Sequence, residues 1–213
     1  MKPLSLEKIG TVLCLGAHSD DIEIGCGGTV LRLIAANPGL HVRWIVFSAF
    51  ADRAREAEAA AAQFLAGAGA RHVELHQFRD GFFPAEQARI KTYFEELKAK
   101  VEPDLVFTHY RDDLHQDHRV IGELAWNTFR RHAILEYEVP KWDGDLGRPN
   151  VYVPLEAEQA RRKVEILMSC FGSQAGKHWF DQETFVGLMR LRAMECGAAS
   201  RRAEAFHGRK VIL

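Results

Sequence analysis

Short apolar segments alternate with helical segments along this sequence, and that alternation limits the folds the chain can adopt. The predicted strands are residues 11–17, 41–49, 73–78, 105–108, 133–139 and 151–155. The predicted helices are residues 28–36, 52–65, 86–100, 119–131, 157–170 and 182–196. Strands that are separated by a helix pair in parallel, because a parallel crossover needs a long connection. The pattern therefore predicts a mostly parallel sheet with helices on its faces.

The expected architecture is an α/β fold, a doubly wound, Rossmann-like sheet flanked by helices, in a single domain that spans residues 1–213. No repeat, low-complexity tract or linker divides the sequence. Residues 140–150 combine turn residues with charges, which predicts a long surface loop of the kind that borders binding sites. Residues 206–213 are predicted to form a last strand or an arm.

Composition and charge argue against several classes of partner. The formal net charge is -1, with 27% charged residues, so no nucleic-acid or anionic-membrane partner is expected. The four cysteines form no CxxC pair, and we find no N-terminal signal peptide or long apolar span. These observations together predict a reduced, cytoplasmic setting.

The most informative polar cluster is His18-Ser19-Asp20-Asp21, which follows the first predicted strand. Burying a histidine and two carboxylates at a strand end is costly unless a cation compensates the charge. His18 and Asp21 can reach one ion from the same loop, which leaves Asp20 free for proton transfer. The alternative is a capping cluster, in which Asp20 or Asp21 accepts backbone N–H bonds at a helix start. Cys26 lies nearby but is predicted to pack as a small apolar residue.

A second cluster follows the fourth predicted strand and ends in His115-Gln116-Asp117-His118. In a doubly wound sheet the first and fourth strands flank the point where strand order reverses, so the two loops are predicted to meet. A catalytic zinc site uses three protein ligands, which two residues of the first loop and one histidine of the second supply. The other histidine then faces the substrate, with its ring oriented by Asp117. The alternative is a surface cluster at a helix start that Asp117 caps.

These two motifs, with the glycine-rich segment at residues 25–28, resemble the paired signatures of the PIG-L/LmbE family of zinc-dependent N-deacetylases. The resemblance extends over most of the chain and includes Arg53 with Glu56, Asp80-Gly81, and Glu204-Ala205-Phe206. The chain departs from the commonest family pattern at Ser19, Ile22 and Gln116. None of these departures removes a ligand of the expected metal site.

The resemblance implies a role for each matching residue. The family's zinc ligands correspond to His18, Asp21 and His118, and another divalent metal is the alternative to zinc. Asp20 corresponds to the general base that takes a proton from water. His115 corresponds to the residue that polarises the carbonyl or stabilises the oxyanion, and Asp117 is expected to orient His115.

The resemblance also implies the substrate and the assembly. The expected substrate is an N-acetylated amino sugar, such as an N-acetylglucosamine derivative, and the expected assembly is a trimer or hexamer. Arg53 is a candidate contact for a substrate anion and Asp80 for a sugar hydroxyl. Their plain alternatives are an i,i+3 pair of Arg53 with Glu56 and a turn role for Asp80. Trp142 on the long loop either stacks on a sugar ring or anchors the loop to the core.

Two other classes of protein compete with this hypothesis. A dinucleotide-binding oxidoreductase would explain glycines after the first strand, but the segment lacks the GxGxxG spacing, and carboxylates would repel a pyrophosphate. A non-catalytic metal- or nucleotide-binding module on the same fold is the other alternative. With a structural metal, it predicts a closed site with a fourth protein ligand, for which Cys26 is the candidate.

Overall fold

The computed structural model describes residues 9–210. Within this range the strands are β1 Thr11–His18, β2 His41–Ser48, β3 Ala70–Leu75, β4 Leu105–His109, β5 Ala133–Tyr137, β6 Val151–Pro154 and β7 Ala203–Gly208. The helices are α1 Asp21–Ala36, α2 Ala51–Phe64, α3 Phe83–Lys100, α4 Gln116–Thr128, α5 Ala157–Cys170 and α6 Gln182–Cys196. A short 3-10 helix, Gly172–Gln174, follows α5.

The strands form one sheet in the order β3-β2-β1-β4-β5-β7-β6. Strands β1 to β5 pair in parallel, and β7 runs antiparallel to both β5 and β6. The strand order reverses between β1 and β4, so the loops that follow these two strands lie at the same edge of the sheet. The predicted doubly wound, mostly parallel α/β fold is confirmed.

The sheet is buried on both faces, as alternate residues of β1 show. Val12 and Cys14 belong to the apolar cluster that α1, α2 and α5 share, whereas Leu13 and Leu15 belong to the cluster under α3 and α4. All four residues are 0% exposed. A parallel strand covered on both faces is necessarily a near-continuous apolar run. The polar residues of the first motif therefore lie at and beyond the end of the strand.

Helix α1 begins at Asp21, so the predicted start near residue 28 is wrong. Ring side chains pack against glycines of α1 that precede residue 28, in the space that a Cβ atom would need. A Cβ atom on Gly25 would lie 2.1 Å from the Tyr137 ring, and one on Gly27 would lie 2.7 Å from the Phe64 ring. The glycines therefore serve close packing of α1.

Several other boundaries differ from the predicted ones. Helix α4 begins at residue 116 rather than 119, β3 spans 70–75 rather than 73–78, and β7 spans 203–208. Residues 211–213, which belong to the predicted last strand or arm, lie outside the described residues. Residues 140–150 contain no helix or strand, as expected for a loop.

No described helix combines the length and hydropathy that crossing a membrane requires. All four cysteines are free.

Candidate metal centre

The two polar motifs meet where β1 and β4 end. His18 is the last residue of β1, and Asp21 is the first residue of α1. His115 caps the start of α4, and His118 lies in its first turn. The parallel pairing of β1 with β4 thus brings together His18 and His118, which are 100 residues apart in the sequence.

Ligand atoms of His18, Asp21 and His118 form a small triangle. His18 Nδ1 lies 3.2 Å from His118 Nε2 and 3.3 Å from Asp21 Oδ2. His118 Nε2 lies 3.4 Å from Asp21 Oδ1. Nitrogen and oxygen ligands that surround zinc tetrahedrally at their usual bond lengths are about 3.3–3.4 Å apart. The three residues therefore fit one such ion, and they form one of the candidate metal-binding groups among the described residues.

Two outer carboxylates set the proton positions on the two histidines. The Asp117 carboxylate lies 3.2 Å from His18 Nε2, and the Asp113 carboxylate lies 3.0 Å from His118 Nδ1. With the outer nitrogens protonated toward these carboxylates, the inner nitrogens of both rings would be available to a metal ion. Two imidazoles and one carboxylate also form a familiar catalytic zinc set.

The charges around the triangle shift the pKa of each ligand. Burial acts to lower the pKa of His18, but the carboxylates of Asp21, Asp117 and Asp80 raise it well above its ordinary value. Burial acts to raise the pKa of Asp21, but His118, His109 and His18 hold it well below its ordinary value. Asp21 is thus ionised at neutral pH.

Asp20 occupies the position before α1, but its side chain makes no capping hydrogen bond. Its Oδ1 accepts a 2.9 Å hydrogen bond from Arg53, and its buried Oδ2 has no hydrogen-bond partner within residues 9–210. Burial raises the pKa of Asp20, and Asp21 adds to this rise, while Arg53 opposes it. The side chain therefore has one oxygen without a partner among the described residues, and the capping alternative does not describe it.

His115 and Asp117 make a different contact from the predicted one. The Asp117 carboxylate orients His18, and it also accepts N–H bonds from Gly81 at 2.6 Å and Phe83 at 3.0 Å. His115 Nδ1 instead accepts the backbone N–H of Asp117 at 3.3 Å. This bond leaves Nε2 of His115 as a hydrogen-bond donor, since burial lowers the pKa of the ring and keeps it neutral.

A cleft of about 480 Å³ opens over the triangle. Its walls include Phe50, Arg53, Asp80, Lys141, Trp142, Gln174, Lys177 and Trp179. Trp142 is 72% exposed, so it faces the cleft and does not anchor the loop to the core. This volume is in the range of small-molecule sites.

The two predicted substrate contacts both lie on this cleft. Arg53 pairs with Asp20, whereas Glu56 binds the N–H and hydroxyl of Ser173, so the predicted Arg53–Glu56 alternative is wrong. Asp80 Oδ1 lies 3.1 Å from His18 Nε2, and the side chain is otherwise 72% exposed. Asp80 also precedes Gly81, whose φ of 79° shows the turn that the alternative predicted.

Sequence reasoning missed three residues that support the site. Asp113 orients His118, and Lys141 pairs with Asp113 at 2.9 Å. His109 is 0% exposed, and its ring stacks on that of His118 with centroids 3.9 Å apart. Burial and the neighbouring His118 lower the pKa of His109 to about 4, so its ring is neutral. Asp113 was visible as an acidic residue within the second motif, but Lys141 had no local signal.

The geometry of the site argues against the two competing hypotheses. Cys26 lies in the apolar core beside Cys14 and is not a fourth ligand. The glycines of α1 are covered by Tyr137 and Phe64, which leaves no backbone surface there for a pyrophosphate. A closed metal site and a dinucleotide site at these glycines are therefore both disfavoured.

The fold and the site define a doubly wound α/β protein with two histidines and one carboxylate gathered at the switch point of its sheet. A family model described as GlcNAc-PI de-N-acetylase, PIG-L, matches residues 13–129, which is more than half of the chain. The chain belongs to the PIG-L family. It is 29% identical over 177 residues to the uncharacterized deacetylase YaiS of Escherichia coli K12, covering 76% of this chain and 91% of that protein.

Solved structures share the fold at lower sequence identity. N,N'-diacetylchitobiose deacetylase from Pyrococcus horikoshii is 18% identical with a TM-score of 0.70, covering 95% of this chain and 85% of that one. GalB, the 4-carboxy-2-hydroxymuconate hydratase of Pseudomonas putida KT2440, is 16% identical with a TM-score of 0.74, covering 96% and 98%. At these identities the likeness shows the fold alone. Because one fold carries different reactions, the side chains of the site must decide the function.

Proposed function

We propose that this protein is a zinc-dependent N-deacetylase that hydrolyses the acetamide of an N-acetylated amino sugar, such as an N-acetylglucosamine derivative. The triangle of ligand atoms from His18, Asp21 and His118 carries the proposal. The family description and the names of two deacetylase relatives support the same reaction. Zinc suits the donor set, and another divalent metal is the alternative.

The residues around the triangle divide the chemistry among them. A divalent metal bound there supplies a more acidic water and a polarised acetyl carbonyl. Asp20 accepts a proton from water as the water oxygen attacks the carbonyl carbon, and its raised pKa makes it a stronger base. The Nε2–H of His115 donates a hydrogen bond to the carbonyl oxygen as negative charge develops there. Asp20 returns the proton to nitrogen as the C–N bond breaks, which yields acetate and a free amine.

The cleft walls support a small polar substrate with flat apolar faces. Trp142 and Trp179 offer rings on which a sugar can stack, and Asp80 offers a carboxylate to a sugar hydroxyl. We propose Arg53 as a second substrate contact that also holds Asp20. A homotrimer or homohexamer in the cytoplasm, with no nucleic-acid or membrane partner, completes the proposal.

The first test is bound zinc per chain in protein purified without chelators or a histidine tag, compared with His118→Ala. Near-stoichiometric zinc in the wild type that is largely lost in the variant is the expected result. Wild-type protein that is metal-free and takes up no added zinc would overturn the proposal and favour the non-catalytic module.

The second test is acetate release from a panel of N-acetylated amino sugars. Zinc-loaded wild type should release acetate and an equal amount of free amine. Trp142→Ala, which leaves the ligands in place, serves as a control for substrate binding and should still release acetate at high substrate concentration. A zinc-loaded enzyme that releases no acetate from any member of the panel contradicts the proposed reaction.

A further inference from the structure

Lys141 is a buried cation beside the metal site and on the wall of the cleft, and the proposed reaction gives it no role. Its side chain is 9% exposed and lies between two carboxylates that are 4% and 5% exposed. Lys141 Nζ is 2.9 Å from Asp113 Oδ2, 2.7 Å from Asp145 Oδ1 and 2.6 Å from Asp145 Oδ2. A lysine ammonium loses much hydration on burial, so such close pairing fixes its position.

The Asp113 carboxylate has a donor at each oxygen. Its Oδ1 accepts the backbone N–H of His115 at 2.8 Å. Its Oδ2 is shared between His118 Nδ1 at 3.0 Å and Lys141 Nζ at 2.9 Å. Without the ammonium, Oδ2 keeps the imidazole as its one close donor, and the carboxylate can turn away from the ring. The ammonium thus helps to hold the Asp113 carboxylate against the His118 ring.

Lys141 belongs to the long loop of residues 140–150, which is tied down at several further points. Asp145 Oδ2 accepts the backbone N–H of Leu114 at 2.6 Å, and the Leu146 carbonyl lies 3.2 Å from His207 Nε2. The next residue after Lys141 is Trp142, which lines the substrate cleft. One ammonium therefore connects the loop that carries the cleft wall to a residue that orients a metal ligand.

We propose that Lys141 is a positioning residue of the metal centre, which holds Asp113 against His118 and so maintains metal affinity. This inference rests on the proposed function in one respect, that His118 binds a metal. Partners of metal-binding histidines typically change metal affinity by about 10–100-fold when they are removed. Lys141 acts one residue further out, so the lower end of this range applies.

The test measures the zinc dissociation constant at fixed pH by competition with a chromophoric chelator. Lys141→Met should weaken zinc binding about tenfold. Lys141→Arg, which keeps a cation, should restore the wild-type constant. Asp145→Asn is the matched control, because it weakens the ion pair between Lys141 and Asp145 but leaves Lys141 beside Asp113. The zinc dissociation constant of this variant should be unchanged. Trp142→Ala should raise KM without changing zinc affinity.

The outcomes separate this inference from the proposed function. If wild type binds zinc and Lys141→Met binds it equally well, the inference is overturned and the proposed function is untouched. If wild type takes up no zinc, both the proposed function and this inference are wrong. If Lys141→Met does not fold, the double variant Lys141→Met with Asp145→Asn removes one of the two uncompensated carboxylates. That double variant should show the same loss of affinity, and wild-type affinity in it would also overturn the inference.

Discussion

Helix α1 carries two buried charged clusters, and their hydrogen bonding differs sharply. The metal-site cluster lies at the N-terminal end of α1 and includes Asp20 and Asp21. The staple cluster lies two turns further along and joins Gly28 and Thr29 of α1 to Lys163 and Glu204. Both clusters contain side chains that are almost fully buried. Their hydrogen bonds indicate that one cluster stabilises the fold and that the other is suited to binding.

The staple cluster is closed on itself. Glu204 accepts four hydrogen bonds, from Gly28 N at 2.9 Å, Thr29 N at 2.6 Å, Thr29 Oγ1 at 2.5 Å and Lys163 Nζ at 2.6 Å. Lys163 also donates to the Ile24 carbonyl at 2.5 Å. Each charge in this cluster has partners within the protein, so the cluster needs no ligand. Glu204, part of the family resemblance, is thus a structural residue.

The metal-site cluster is not closed. Asp20 Oδ2 and both carboxylate oxygens of Glu23 are buried without a partner in the described part of the chain. The inner nitrogens of His18 and His118 lie 3.2 Å apart, next to the Asp21 carboxylate. Burial raises the pKa of Glu23 well above its ordinary value, and nearby Asp20 and Asp21 add to the rise. Native proteins leave few buried polar groups unpaired, and those few occur mainly at sites that bind a ligand or carry out a reaction.

The largest expected effect tests whether the staple cluster is structural. Lys163→Met leaves the Glu204 carboxylate buried without its cation, which should lower the free energy of unfolding by about 3–5 kcal/mol. Urea unfolding followed by circular dichroism measures this. Lys177→Met, at an exposed cleft lysine, is the control and should leave stability unchanged. A loss below about 1 kcal/mol for Lys163→Met would show that the staple cluster contributes little to stability.

A substitution in the metal-site cluster should instead lower turnover and leave stability intact. Asp20→Asn removes a buried charge but keeps an oxygen for Arg53, so the free energy of unfolding and the zinc content should not fall. Turnover should fall roughly 100-fold or more, the usual size of general-base catalysis. Steady-state rates of acetate release, measured on zinc-loaded protein, check this. Near-normal turnover would remove Asp20 from the role of base.

Zinc should stabilise the protein through the open cluster alone. At a free concentration of about 100 times its dissociation constant, zinc should add about 2.7 kcal/mol to the free energy of unfolding of the wild type. His118→Ala should gain nothing from the same addition, whereas Glu204→Gln should keep the gain from a lower starting stability. Urea titrations with and without zinc measure both. Equal stabilisation of His118→Ala would place the metal elsewhere.

The smallest expected effect concerns the helix that joins the clusters. Gly25→Ala puts a Cβ atom 2.1 Å from the Tyr137 ring, so it should cost about 1–3 kcal/mol by overpacking. Gly187→Ala, at a helical glycine of α6 with open space around it, should instead stabilise the protein by about 0.5–1 kcal/mol. Melting curves of the two variants should therefore move in opposite directions, and a shared direction would count against close packing of α1.

The sequence was enough to predict the sheet type and the meeting of the two motifs. Alternating apolar and helical segments determine parallel pairing, and parallel pairing places the ends of β1 and β4 together. The start of α1 could not be read in this way. Glycines at residues 25–28 indicate a loop by local preference, and the rings that pack against Gly25 and Gly27 come from other parts of the chain. Tertiary packing overrode local propensity there.

The supporting residues of the site were harder to predict than its ligands. Asp117 was expected beside His115, but the turn of α4 that begins at Gln116 directs its carboxylate to His18. Lys141 lies in a loop without periodicity, and its contact with Asp113 depends on how that loop folds back. Contacts of this kind follow from three-dimensional packing and leave no spacing rule in the sequence.

The bond between Gly28 and Glu204 spans 176 residues, which has a consequence for the order of folding. The three residues of the proposed metal triangle lie within the first 118 residues, but the carboxylate that holds the middle of α1 belongs to β7. Contacts of such long sequence separation form late because closing the chain between them is slow. We therefore expect the middle of α1 to gain its hydrogen bonds to Glu204 only when β7 pairs with β5 and β6.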